Sequence, residues 1–185
     1  QGRLEALLNF QTMTISLTGM EIGNCSLLDD ASAAAEAMLM MFALRSRDQI
    51  KNGCNQLFVD DDIFPQVFDV LVTRSEPFGI EIIRDNYDTY KFTGKEFGAI
   101  VQYPSASGRI RDYAAFAAAA HEAGAKVTAV CDLMSLVLLA SPGQWGADIA
   151  VGSAQRFGLP MGFGGPTESV RYRCGMRMDM LRNPT

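Results

Sequence analysis

Histidine is nearly missing from this chain: His121 is the single imidazole in 185 residues. The four cysteines, Cys25, Cys54, Cys131 and Cys174, stand far apart with no CxxC spacing. Zinc-type centres need His and Cys ligands at short spacings, so no metal site is expected. The cysteines are expected to be reduced, mostly buried thiols. No apolar run reaches 18 residues; the longest candidate, Ala33 to Leu44, is shorter and carries Glu36, which excludes a membrane span. Positive charge is not in excess either. The net charge is −5 and the pI about 4.9, which argues against a nucleic-acid footprint. The amino end offers no signal peptide, because Gln1 to Leu8 reads directly as amphipathic helix. It also lacks an initiator Met, which predicts that the chain begins inside a longer protein. There is no internal repeat, low-complexity segment or clear linker.

What is present fits one α/β domain, or a piece of a larger one. Hydrophobic residues are 48% and charged residues 20% of the chain, ordinary for a soluble domain. Leu4, Leu7, Leu8, Met13 and Leu17 recur near helical spacing over Arg3 to Leu17, with Thr18-Gly19 as a stop. Asp29 or Asp30 is a suitable N-cap for an Ala-rich helix running to about Arg45. Strands are expected at 56–60, 80–84, 97–103, 126–132 and 148–151, and helices at 64–74, 111–123 and 133–139, with Gly124 past the end of the second. The run Lys126 to Asp132 is apolar nearly throughout, which suits a parallel strand buried on both faces. This order predicts a mostly parallel sheet with helices on both faces.

Candidate chemistry clusters beyond the carboxyl ends of such strands, where open α/β sheets place their ligands. Asp132 ends one strand, Ser153 to Arg156 follow another, and Tyr103-Pro104-Ser105 follows a third. The last of these strands opens into Ser153 to Pro166, with four glycines and two prolines but no lysine. The helix start at Asp30 to Ser32 offers free N–H groups to a phosphate, although Asp29 and Asp30 oppose an anion. Each residue has a plain structural alternative. Asp132 precedes Leu133-Met134-Ser135 and suits a helix cap; Arg156 suits a salt bridge; His121 suits a surface or packing role. Asp60-Asp61-Asp62 reads as a solvated turn, since it lacks the ligand spacing of a calcium loop.

Four segments taken together are more specific. They are GRLEALLNFQTM from Gly2, SLLDDASAAAEAM from Ser26, Gln102-Tyr103-Pro104, and Asp148 to Pro166 with its run GSAQRFGLPMGFGGP. In this order they closely resemble the P-protein of the glycine cleavage system, over residues 1–166 and in its amino-terminal half. The resemblance implies a type I pyridoxal-phosphate-dependent transferase fold, the aspartate-aminotransferase-like large domain, here incomplete. It also implies glycine dehydrogenase (decarboxylating) chemistry, in which glycine is decarboxylated through a pyridoxal-phosphate aldimine. The aminomethyl group then passes to the lipoyl arm of the H-protein. Asp132 corresponds to the carboxylate that faces the pyridine nitrogen, and Ser153 and Arg156 fall on the cofactor side.

The family's catalytic half carries a His-Lys pair whose lysine holds the cofactor; here those positions are Gln155 and Arg156. An arginine does not serve as an amine nucleophile at neutral pH. The implied cofactor-binding residues Asp132, Ser153 and Arg156 are therefore expected as vestiges, with no catalytic residue in this chain and the cofactor held by the other half. The implied partners are the carboxy-terminal half, or a catalytic subunit, and lipoylated H-protein, with no nucleic acid and no membrane. A non-catalytic subunit of a split P-protein is the alternative. The compartment implied is bacterial cytoplasm, or mitochondrial matrix in a eukaryote. Residues 167–185, rich in Arg and Met, depart from the family pattern and are expected as a divergent tail, peripheral or disordered.

Overall fold

The structure, a computed structural model, describes residues 1–158 and 172–176, the backbone alone at 24–26 and 172–176. The sheet is built outward from β5, Lys126–Asp132, whose five central residues are fully buried. It pairs in parallel with β4, Glu96–Tyr103, on one side and with β6, Ile149–Ser153, on the other. Beyond β4 lie β2, Gln56–Asp60, and the edge strand β3, Glu81–Asp85, both parallel to it. Two further strands, β1 (Ile22–Leu27) and β7 (Tyr172–Met176), join antiparallel. The order is β1-β7-β6-β5-β4-β2-β3.

Helices cover both faces, as the strand pattern predicts. The Ala-rich α2, Asp30–Ala43, is buried along most of its length. Its Met41 sits so close to Gly98 that a Cβ there would fall 2.8 Å from the sulfur. On the opposite face α5, Ala114–Glu122, brings Phe116 onto Phe58 at 5.2 Å between ring centroids. Gly98 and Tyr103 have opposite parity in β4 and so face opposite layers. Tyr103 meets Tyr113 and Trp145 on the α5 side. Along α4, Pro65–Ser75, Val67 and Leu71 are buried. The first helix, α1 (Gly2–Thr18), stops at Gly19, whose φ of +69° is the left-handed turn that Thr18-Gly19 foreshadows.

Several elements differ from expectation. Leu133 to Leu139 is not a helix; only a 3₁₀ turn forms at Ser135–Val137. The expected helix over 111–123 begins at Ala114, and α2 ends at Ala43 rather than near Arg45. The short helices α3 (Arg47–Lys51) and α6 (Pro142–Trp145), both opened by capping boxes, were not expected. Within the expected peripheral tail, 172–176 lies inside the sheet between β1 and β6; the rest of 167–185 lies outside the described residues. No helix among the described residues is long and apolar enough to cross a membrane.

Candidate functional site

The parallel register sets Asp132 directly beside Ser153 at the carboxyl ends of β5 and β6. Ser153 Oγ accepts from the Gln155 N–H at 3.2 Å, which turns the chain into a 3₁₀ turn over Gln155–Phe157. That turn carries Arg156 back across the strand ends, where its guanidinium donates to Asp132 Oδ2. The other Asp132 oxygen accepts from the Met134 N–H at 3.3 Å, and the Ser135 hydroxyl donates to the Asp132 carbonyl at 2.7 Å. Asp132 is thus loop clamp and ion-pair partner at once. Arg156 is 67% exposed, so the pair contributes about 0–1 kcal/mol to stability. Its importance is positional. All three expected site residues, Asp132, Ser153 and Arg156, lie together, bound to one another and to the turn they shape.

Pyridoxal phosphate requires three things of such a site: a lysine amine, a carboxylate free to meet the ring nitrogen, and a cradle for the phosphate. The chain has four lysines, at 51, 91, 95 and 126. Lys126 starts β5, Lys95 directly precedes β4 and Lys51 ends α3 ahead of β2, all at the amino ends of strands. Lys91 lies in the β3–β4 connection. The Asp132 carboxylate is occupied by Arg156. The space under α1 at these strand ends is about 10 Å³, lined by Phe10, Thr14, Cys131, Leu133 and Gly152 among others. That is about one water. The residues described here therefore do not fit the cofactor.

Burial and, second, the neighbouring Asp132 charge push the Cys131 thiol up to about 12, so it is an inert packing group. Cys131 and Cys54 are both buried and free of disulfides, while Cys25 and Cys174 lie outside the described side chains. The start of α2 does not serve as an anion site. Asp29 accepts from the Ser32 N–H at 2.6 Å and Asp30 from the Ala31 N–H at 2.9 Å, so carboxylates already cap the helix.

The chain order reverses between β2 and β4, the switch point where open sheets often hold ligands. Here that crevice is filled by the protein's own polar groups. Asp62 accepts from the Ser107 N–H at 2.9 Å, the Ser107 hydroxyl at 2.6 Å and Arg111 at 2.8 Å. Ser105, after the cis Tyr103-Pro104 peptide, is buried and bonded to Ser107 and Arg109. Asp60 is fully buried, with the Tyr113 hydroxyl donating to Oδ2 at 3.2 Å. Burial raises the Asp60 carboxyl above its ordinary range, while Arg111 and Tyr113 pull it back. The expectation of a solvated Asp60-Asp61-Asp62 turn is therefore corrected: Asp60 is core and Asp62 is an organising anchor. The available signal was Asp60 at the end of an apolar run. His121 pairs with Asp148 at 2.8 Å, at the far end of the sheet from Asp132.

Comparison with known proteins gives consistent results. The family profile described as "Glycine cleavage system P-protein" matches residues 1–170. "Glycine dehydrogenase (decarboxylating)" of Flavobacterium johnsoniae is 55% identical over 90% of this chain and 18% of that protein. The protein of the same name from a Nostoc species is 57% identical over 90% of this chain and 16% of its own length. The chain thus spans under a fifth of these curated relatives. A crystal structure of glycine decarboxylase (P-protein) in inhibitor-bound form superposes with a TM-score of 0.82 at 35% identity, covering 98% of this chain and 40% of that one. Cystathionine gamma-lyase of Lactobacillus plantarum, 17% identical with a TM-score of 0.64 over 90% of this chain and 41% of its own, shares the fold alone. The fold is that of type I pyridoxal-phosphate enzymes.

Proposed function

Since the chain belongs to the glycine cleavage system P-protein family, we propose that it is an amino-terminal portion of a glycine dehydrogenase (decarboxylating), contributing fold and active-site wall rather than cofactor chemistry. The observation that carries this is the Arg156–Asp132 ion pair. In the family's catalytic half the corresponding places belong to the lysine that holds pyridoxal phosphate and the carboxylate that meets its ring nitrogen; here each satisfies the other. The whole protein then removes the carboxyl group of glycine and passes the aminomethyl group to lipoylated H-protein. The cofactor is held by the carboxy-terminal half, which packs against this one. The named relatives are bacterial, so the reading places the protein in bacterial cytoplasm. Relatives of which this chain matches under a fifth favour a fused polypeptide over a separate structural subunit.

Full-length protein supplied with lipoylated H-protein is expected to exchange labelled bicarbonate into the carboxyl group of glycine. It is expected to keep most of that activity when Asp132 and Arg156 are replaced together by Asn and Gln. No exchange in the wild type would refute the activity. Loss of cofactor in the double variant, with the fold intact, would refute the division of labour.

A further inference from the structure

A second opening lies away from the Asp132–Arg156 pair, between the β3–β4 connection and the outer surface of α5. It encloses about 250 Å³. Four rings, Tyr87, Tyr90, Phe92 and Phe116, form most of its apolar lining beside two alanines of α5, and two carboxylates, Asp88 and Asp112, stand among them. The rings hold one another. Tyr90 and Phe92 stand at 89° with centroids 5.3 Å apart, Phe92 and Phe116 are 5.3 Å apart, and Tyr87 meets Phe116 edge-on at 6.2 Å. The cleft is thereby largely preformed, and this volume, just under the usual ligand-pocket range, suits a single head group on a short stem.

Its electrostatics favour one sign of charge. Ring faces carry negative quadrupole potential. One ring already holds a cation: the Arg111 guanidinium carbon lies 4.8 Å from the Tyr87 centroid. Asp112 spends only Oδ1, on the Ala114 N–H at 2.9 Å, and the Asp88 carboxylate makes no hydrogen bond or ion pair among the described residues. Neither lysine of the adjoining connection, Lys91 nor Lys95, pairs with them. The Tyr90 phenol is raised well above its ordinary value by burial, then by its bond to Glu96 and the charges of Glu96, Asp85 and Glu81. The last three carboxylates add negative charge beside the cleft. An anion is repelled here, and a neutral apolar guest would strip water from two carboxylates without replacing it. A bare metal ion finds no cluster of three ligating side chains among the described residues.

We propose that this cleft binds an organic cation of side-chain size, a guanidinium or ammonium head on a short aliphatic stem, with the rings around the stem and Asp88 and Asp112 on the head. The source is either a small free cation or a basic side chain of another polypeptide segment. The cleft's chemistry does not depend on the P-protein reading.

Saturation-transfer NMR on full-length protein tests it, with methylguanidinium against methylurea, and acetyl-Gly-Arg-Gly-amide against its citrulline counterpart. The charged member of at least one pair is expected to bind and its neutral isostere not. Transfer to methylguanidinium assigns a free cation; transfer to the arginine peptide alone assigns a polypeptide side chain. The exposed double substitution Asp88→Asn with Asp112→Asn is expected to weaken binding on the order of tenfold, and Phe92→Leu several-fold. Equal binding of charged and neutral probes, no binding of either cation, or affinity unchanged by the double substitution overturns the proposal.

Discussion

A Cβ placed on Gly152 would lie 1.8 Å from the carbonyl oxygen of Cys131 and 2.8 Å from its carbonyl carbon. The two are register partners in β6 and β5, so the clash is backbone on side chain with no flexible atom to yield. Only glycine allows the strands to approach this closely while delivering Ser153 and Arg156 to Asp132. Gly152→Ala is expected to cost about 3 kcal/mol or more. The check is chemical denaturation followed by hydrogen exchange in peptides from β5 and β6. A change below about 0.5 kcal/mol would contradict the geometry.

Arg111 stands near two carboxylates, bonded to Asp62 at 2.8 Å and acting electrostatically on the buried Asp60. Both members of its ion pair are largely buried, so removing the cation leaves charge uncompensated. Arg111→Met is expected to destabilise by about 2–4 kcal/mol. Adding Asp60→Asn should recover part of that loss, a coupling that a double-mutant cycle measures. Because the folded protein holds the Asp60 proton more tightly than the unfolded chain, this group's contribution declines as pH rises above about 3.8. Asp60→Asn alone should remove that decline. Independent effects of the two substitutions would contradict the account.

Asp148 behaves in the opposite sense. Burial raises its carboxyl, but the His121 bond, the Val127 N–H at 2.8 Å and the charges of His121 and Lys126 outweigh it and hold the carboxyl below its ordinary value. A depressed carboxyl stabilises above the unfolded value of about 3.8, and the stability is lost as pH falls through the lower folded value. Asp148→Asn is therefore expected to cost about 1 kcal/mol at neutral pH and to flatten the acid side of the stability profile. Urea midpoints from pH 2.5 to 7 check this. An acid limb as steep as the wild type's would contradict it.

The central sheet was legible because its strands announce themselves. Lys126 to Asp132 and Phe97 to Tyr103 are apolar runs that only a doubly covered strand accommodates, and Gly19 and Gly124 mark helix ends by their need for positive φ. Ile22–Leu27 was not legible: Ile-Gly-Asn-Cys-Ser-Leu has no alternation, and its partner lies some 150 residues away. Leu133 to Leu139 misled because its apolar spacing suits a helix, while Asp132 clamps the segment into a turn. At the site, Asp132, Ser153 and Arg156 stood out by position and by family resemblance. Their mutual bonding did not, since an ion pair across 24 residues exists only once β5 and β6 are aligned. The Asp60–Tyr113 contact, 53 residues apart, was hidden for the same reason.

The most direct test of the central claim is the position of the cofactor. Full-length protein loaded with pyridoxal phosphate, reduced with borohydride and digested, would be mapped by mass spectrometry. The predicted result is one stoichiometric adduct, on a lysine outside residues 1–185, with Arg156 and the four lysines of this segment unmodified. A stoichiometric adduct within this segment, formed in step with loss of glycine-dependent exchange, would contradict it.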